Sequence, residues 1–181
     1  AHMPGISHLM RAILGLASER QLPRLAARTF RQWAGKHGVA LTGGAFAAGD
    51  RAPAQEVILW VDTFNNHFHP ETAQAALEVL TDAGFRVMIP AERLCCGRPL
   101  YDFGMIGEAR RYLSRIMESL SGPIDSGTPI VVLEPSCASV FRDELRNLFP
   151  KDARAERLRS QTFLLSEFLE HYAAKYEPPR L

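Results

Sequence analysis

The sequence predicts an α/β fold, a parallel sheet of βαβ units with helices on both faces, preceded by N-terminal helices. Three observations carry this. Short apolar runs of strand length recur at VILWVD (57–62), FRVMIP (85–90) and PIVVLE (129–134). The first is continuous and ends in a polar residue, the pattern of a strand buried on both faces. Helix-length segments separate the runs, and strand alternating with helix means crossover connections and parallel pairing. A Gly- and Ala-rich stretch then sets residues 56–176 apart from what precedes them.

In order, residues 1–3 (Ala-His-Met) read as a cloning scar before Pro4, which implies an excised piece of a longer protein. Residues 4–38 read as two helices. Ser7 is a candidate cap for the first, which gathers Leu9, Ile13, Leu14 and Leu16 on one side. Pro23 near the start and Gly38 past the end bracket the second, whose apolar face is Leu22, Leu25, Ala26, Phe30 and Trp33. Residues 39–55 form the linker. After the first strand, HPETAQAALEVLTDAG reads as a helix, with Pro70 in its first turn, Glu71 at the positive end of its dipole and Gly84 as its stop. After the second, GMIGEARRYLSRIMESLSG places Ile106, Ala109, Leu113, Ile116 and Leu120 on one face. After the third, CASVFRDELRNLF is a helix, and residues 152–176 add a fourth. Residues 177–181 are a tail.

Composition excludes several classes of function. There are 21 Lys and Arg against 20 Asp and Glu, so no charge imbalance points to nucleic acid or an anionic membrane surface. No apolar run reaches membrane-spanning length. Arg11 interrupts the apolar stretch 10–17 and no cleavage pattern follows, which argues against a signal peptide. Three cysteines, an odd number, argue against a disulfide framework and make the reducing cytosol the default compartment.

The placement of those cysteines is the informative feature. In such sheets ligands bind outside the carboxyl ends of the strands. After the first strand come Asp62-Thr63-Phe64-Asn65-Asn66-His67, and after the second Cys95-Cys96-Gly97-Arg98-Pro99. After the third come Glu134-Pro135-Ser136-Cys137. All three cysteines therefore fall on one predicted rim, although 40 residues separate Cys96 from Cys137. A helix start at Cys137 and the charge of Arg98 both favour thiolate, a soft ligand suited to iron–sulfur clusters or zinc. Gly97 would let backbone approach a bulky group, and Pro99 would stiffen the exit from that turn. Three thiols do not close a cluster, and Asn65, Asn66, His67 and His69 are the nearby candidates for a further contact. Against this stands the fact that buried cysteines usually serve as small hydrophobes. Histidines beside Pro70 are commonly exposed loop residues, and Asp62 and Glu134 fit helix capping better than catalysis.

LCCGRPLYDFG together with EPSCASVFRDEL resembles the cysteine-rich CCG domain of iron–sulfur oxidoreductases. That group includes the iron–sulfur subunit of glycolate oxidase, a subunit of heterodisulfide reductase and the C-terminal part of FAD-linked D-lactate-type dehydrogenases. DTFNNHFHPETAQAALEVL, CCGRPLYDFGMIGEARRYL and LEPSCASVFRDEL resemble the single-chain FAD-linked branch, and the likeness extends over most of residues 20–170. It implies a redox accessory domain of a 2-hydroxy-acid oxidoreductase that holds or contacts an iron–sulfur cluster and relays electrons. Cys95, Cys96 and Cys137 would be the metal ligands, with Gly97, Arg98, Asn65 and His67 around the cofactor. FAD would lie in the parent protein, outside this chain. The implied partners are a second CCG repeat and the ferredoxin-like and flavin domains of that parent, in the cytoplasm or peripheral to the inner membrane. The domain by itself is not expected to be catalytic. The sequence departs from the family pattern in two places. Thr63-Phe64-Asn65 stand where the family has a cysteine after the first strand, and Ala138, Ser139 and Val140 stand where a second cysteine follows the third. Two other readings compete: a cluster-free docking module with packing cysteines, and structural zinc, which ranks last because no Cys-x-x-Cys pair exists.

Overall fold

The computed structural model of the 181-residue chain describes residues 13–15, 23–43 and 55–179. The scar, the proposed Ser7 cap, most of the first predicted helix and the linker beyond residue 43 lie outside the described residues.

Five parallel strands form the sheet: β1 (Ala40–Leu41), β2 (Glu56–Trp60), β3 (Arg86–Ile89), β4 (Ile130–Val132) and β5 (Thr162–Leu164), in spatial order β1-β3-β2-β4-β5. Register follows the apolar runs, with Ile58 opposite both Met88 and Ile130. Side chains alternate between faces because the strand period is two. Val57, Leu59 and Val61 pack with α1 (Phe30–Lys36), α3 (Pro70–Asp82) and α10 (Leu165–Tyr172). Ile58 and Trp60 pack on the other side with α5 (Ile106–Ser119), α6 (Ser121–Ser126), α7 (Pro135–Ser139), α8 (Leu145–Leu148) and α9 (Ala153–Gln161). Trp60 meets Phe141 edge-on at 4.9 Å in that layer. The short helices α2 (Thr63–His67) and α4 (Arg98–Asp102) lie at the carboxyl ends of β2 and after β3. The predicted α/β class and the helices on both faces are therefore present.

Local differences from the sequence reading have physical causes. The second N-terminal helix starts at Phe30, not near Pro23. A capping box of Thr29 and Gln32 sets the start, and the Ala26 N–H donates to His67 O at 2.8 Å, which ties the preceding segment down as an extended strap. The start of the predicted linker is a sheet edge: Ala40 and Leu41 pair with β3, and Thr42 Oγ1 accepts the Ala91 N–H. Ile106 is 40% exposed, whereas the rest of the predicted α5 face is buried. The helix after β4 contains a π-helical turn at Val140–Glu144. The predicted fourth helix is broken by β5, because the open edge of β4 takes Thr162, Phe163 and Leu164 as a ladder partner. Tertiary pairing overrides the helical tendency of that stretch.

Among the described residues, no helix is long and apolar enough to cross a membrane.

Candidate functional site

From β2 the chain crosses to β3 on one side, returns past β2 to β4, and continues to β5 on the other. The connections leaving β2 and β4 thus diverge, and the crevice at their carboxyl ends is the topological switch point, where such sheets bind ligands. The cysteine-bearing segments converge there.

After β2, the buried Asp62 carboxylate caps α2. It accepts the Phe64 and Asn65 N–H groups at 2.9 Å and the Asn65 side-chain amide at 2.6 Å. Asn65 is thereby committed to the cap. Asn66 accepts the Arg31 N–H at 3.0 Å and its amide nitrogen lies 3.0 Å from His67 Nε2, while the His67 side chain is exposed. His69 is exposed beside Glu71. The hydrogen bonds of Asn65 and His67 thus run to Asp62 and Asn66 rather than to the cysteines.

After β3, the loop to Cys95 is braced by a residue the sequence reading missed. Arg31 on α1 donates to Pro90 O and Glu92 O, both at 2.8 Å. Burial, then the charge of Arg93, lowers its pKa from the ordinary arginine value. No motif marked Arg31, because its partners are backbone carbonyls far along the chain. Gly97 takes a left-handed conformation (φ 78°, ψ 8°) to open α4. A Cβ there would meet Tyr112 only at an ordinary 3.6 Å, so the backbone angle is what requires glycine, and close approach of a cluster is not needed to explain it.

After β4, Glu134 caps α7 and Cys137 stands in the first turn. Cys137 Sγ donates to Cys96 Sγ at 3.0 Å, and both residues are almost completely buried in the layer that contains Trp60. Cys95 is half-buried, and Thr63 Oγ1 lies 4.0 Å from its sulfur. The stretch Thr63-Phe64-Asn65, where the resemblance implies a cysteine, therefore reaches Cys95 through Thr63.

A polar clamp joins the two cysteine-bearing segments. Arg98 pairs with Glu144, and its Nη1 also donates to Ser139 Oγ at 3.2 Å, while Nε donates to Asp102 at 3.0 Å. Ser139 in turn donates to the Glu144 carboxylate at 3.3 Å. The π-helical turn brings Glu144 back against Ser139, and such turns often mark functional positions. Glu144 was another residue missed in the sequence, where it reads as one charge among several in RDEL.

The clamp also corrects the expected activation of the thiols. The charge of Arg98 is engaged by Asp102 and Glu144. The Cys96 thiol is pushed up to about 12, chiefly by the proton it shares with Cys137, with burial adding to the effect and Cys95 opposing it. The Cys95 thiol is also raised, first by its hydrogen bond with Cys96 and then by burial. Both shifts favour the thiol form, whereas metal ligation requires thiolate.

Two thiolates on one tetrahedral metal with bonds of about 2.3 Å stand about 3.8 Å apart. Cys96 and Cys137, at 3.0 Å, would have to separate by roughly 0.8 Å to share one. Among the described residues, no group of three His, Cys, Asp or Glu is arranged to hold a metal ion. One feature of the layer favours an acceptor nearby: the buried Trp60 Nε1 has no hydrogen-bond partner among the described residues. The three thiols fit part of a cluster's donor set and do not close one. A surface hollow of about 490 Å³, lined by Arg110, Phe149 and Asp152 among others, contains none of the cysteines.

Residues 62–142 match the family model of the cysteine-rich domain designated CCG. Lactate utilization protein A of Geobacillus kaustophilus is 30% identical over 118 residues, 63% of this chain and 47% of that protein. The Bacillus subtilis protein of the same name is 28% identical over 118 residues, 63% of this chain and 48% of that protein. One subunit of the anaerobic glycerol-3-phosphate dehydrogenase of Escherichia coli K12 is 26% identical over 153 residues, 84% of this chain and 36% of that subunit. The chain spans half or less of the length of these relatives. No solved structure matches it.

Proposed function

We propose that the chain, whose residues 62–142 match the family model of the cysteine-rich CCG domain, is the cysteine-rich part of an FAD-linked 2-hydroxy-acid oxidoreductase. Its corner of Cys95, Cys96 and Cys137 would ligate or contact an iron–sulfur cluster in the path of electrons. The observation that carries the reading is the meeting of sulfurs from two separate crossovers, 3.0 Å apart, at the switch point of the sheet. The names of the relatives point the same way: lactate is a 2-hydroxy acid, and glycerol-3-phosphate is oxidised at a secondary alcohol. A cluster would supply one-electron transfer at this edge. The chain's own residues would present thiols, hold them with the Arg98–Glu144 clamp and seal them from water with Trp60 and Phe141. Remaining ligands would come from outside this chain, a second CCG repeat being the natural donor. Ferredoxin-like and flavin domains, the latter holding FAD, would complete the parent protein in the cytoplasm or at the inner membrane. Cys95, Cys96 and Cys137 are the proposed ligands, with Gly97, Arg98, Asn65 and His67 lining the approach.

The test is anaerobic reconstitution of the longer parent with iron and sulfide. Broad visible absorption and a paramagnetic signal on reduction are expected, with both reduced in the Cys95→Ser/Cys96→Ser variant. Identical spectra in parent and variant would remove these cysteines from ligation.

A second reading is favoured by the burial of Cys96 and Cys137 and by the exposed Phe64 and Phe103 at the same edge. There the cysteines are packing residues and the edge docks another domain. It predicts that the doubly substituted parent still assembles and that its spectrum is unchanged.

A further inference from the structure

We propose that the Arg142–Glu167 ion pair seals the open edge of the sheet and keeps β5 of a second copy of this chain from pairing there. The seal depends on neither the cysteines nor a cluster. β5 ends the sheet, with no strand beyond it among the described residues. An edge strand leaves backbone N–H and C=O groups unpaired on its outer side, open to another strand. Alternate residues of a strand turn these groups to opposite sides, so Thr162 and Leu164 share one side of β5 and Phe163 takes the other. β4 pairs from one side, and side chains hold the groups on the other. Arg142 donates to Thr162 O from Nε at 3.2 Å and from Nη2 at 2.9 Å. Glu167 accepts the Leu164 N–H at 2.9 Å, and Arg142 Nη1 lies 3.2 Å from the same carboxylate. A linked donor and acceptor thus stand where the N–H and C=O of an added strand would stand.

The edge is otherwise uncovered. A hollow of about 390 Å³ lies against it, bordered by Arg142, Phe163, Glu167, Glu170 and His171. The opposite edge needs no such seal, because β1 is two residues long and offers little to pair with. A second copy is the matching occupant because the outward groups of β5 are self-complementary about a two-fold axis. With β5 antiparallel to β5 and the axis at Phe163, Thr162 O of each copy would accept the Leu164 N–H of the other. Those are the two groups that Arg142 and Glu167 hold. An incoming strand must break the ion pair and its hydrogen bonds before it gains its own.

The experiment compares the full 181-residue chain with Arg142→Ala/Glu167→Ala by light scattering after size exclusion, over a range of concentrations. The wild-type chain should keep the mass of one copy. The double variant should rise to twice that mass as concentration increases, and its infrared amide bands should gain antiparallel pairing. Leu164→Pro added to the double variant should return the mass to one copy. Proline removes the outward N–H, and the Leu164 φ of −69° already suits its ring. Circular dichroism establishes that each variant is folded. Arg142→Ala alone uncovers Thr162 O and leaves Glu167 on the Leu164 N–H, so it carries the same comparison should the double variant not fold. Folded variants that keep the mass of one copy at every concentration would overturn the proposal. So would association that survives Leu164→Pro, or a wild-type dimer that Leu164→Pro dissolves.

Discussion

Glu144 shows how much of the site rests on one carboxylate that carries no chemistry. Its side chain is about 10% exposed, and it accepts from both Arg98 and Ser139. Glu144 is nearly buried, whereas Arg98 is 32% exposed and keeps Asp102, so loss of the Glu144 charge weakens the clamp without stranding the guanidinium. Glu144→Gln should therefore lower unfolding stability by about 1 kcal/mol in chemical denaturation. A change within about 0.3 kcal/mol, the size seen at ordinary surface positions, would mean that the clamp does not hold the CCG loop to the helix after β4. The three cysteines were legible in the sequence because each follows a strand and must emerge on one rim. Glu144 was not, because in RDEL it reads as one charge among several and its partner Arg98 stands 46 residues away. Arg31 was equally silent, since a guanidinium bound to carbonyls leaves no mark in the pattern of side chains.

Among the elements, β5 and α10 depart furthest from their local pattern. Residues 152–176 read as one helix, yet the ladder with β4 claims Thr162–Leu164 and a new helix starts beyond it. Glu167 secures the restart. Its carboxylate accepts the Leu164 N–H at 2.9 Å and pairs with Arg142, which also donates to Thr162 O. The Arg142 guanidinium, and then the Leu164 N–H, hold the Glu167 carboxyl below the usual glutamate range. A pKa depressed in the folded state stabilises the fold fully above the unfolded value, roughly pH 4.3, and the contribution is lost as pH falls through the lower folded value. The melting temperature should therefore fall between about pH 5 and pH 3, and Glu167→Gln should be less stable at neutral pH with a flatter acid limb. Equal acid limbs in both proteins would show that the pair contributes nothing. The three central strands needed no such device, because a continuous apolar run is compatible only with burial on both faces.

For the whole molecule, the edge that carries the cysteines also exposes apolar side chains, with Phe103 at 82% and Phe64 at 58%. Side chains of that size left in water on the edge of the site fit the proposal that a further domain of a longer parent would cover it. Phe103→Ser should leave the unfolding stability of this chain within about 0.5 kcal/mol, as for an ordinary surface position. The same substitution should weaken its association with the remaining domains supplied in trans. Unimpaired association would remove Phe103 from the docking face. Local pattern alone determined the α/β class, the parallel sheet and the rim on which all three cysteines lie, since strand length, helix period and their alternation are properties of neighbouring residues. Three-dimensional packing alone decided that Cys96 and Cys137 touch, that Cys95 stays half-buried beside Thr63, and that Arg31 and Glu144 hold the corner. Those contacts join positions tens of residues apart, and their distances are set by how the layers pack rather than by any short stretch of chain.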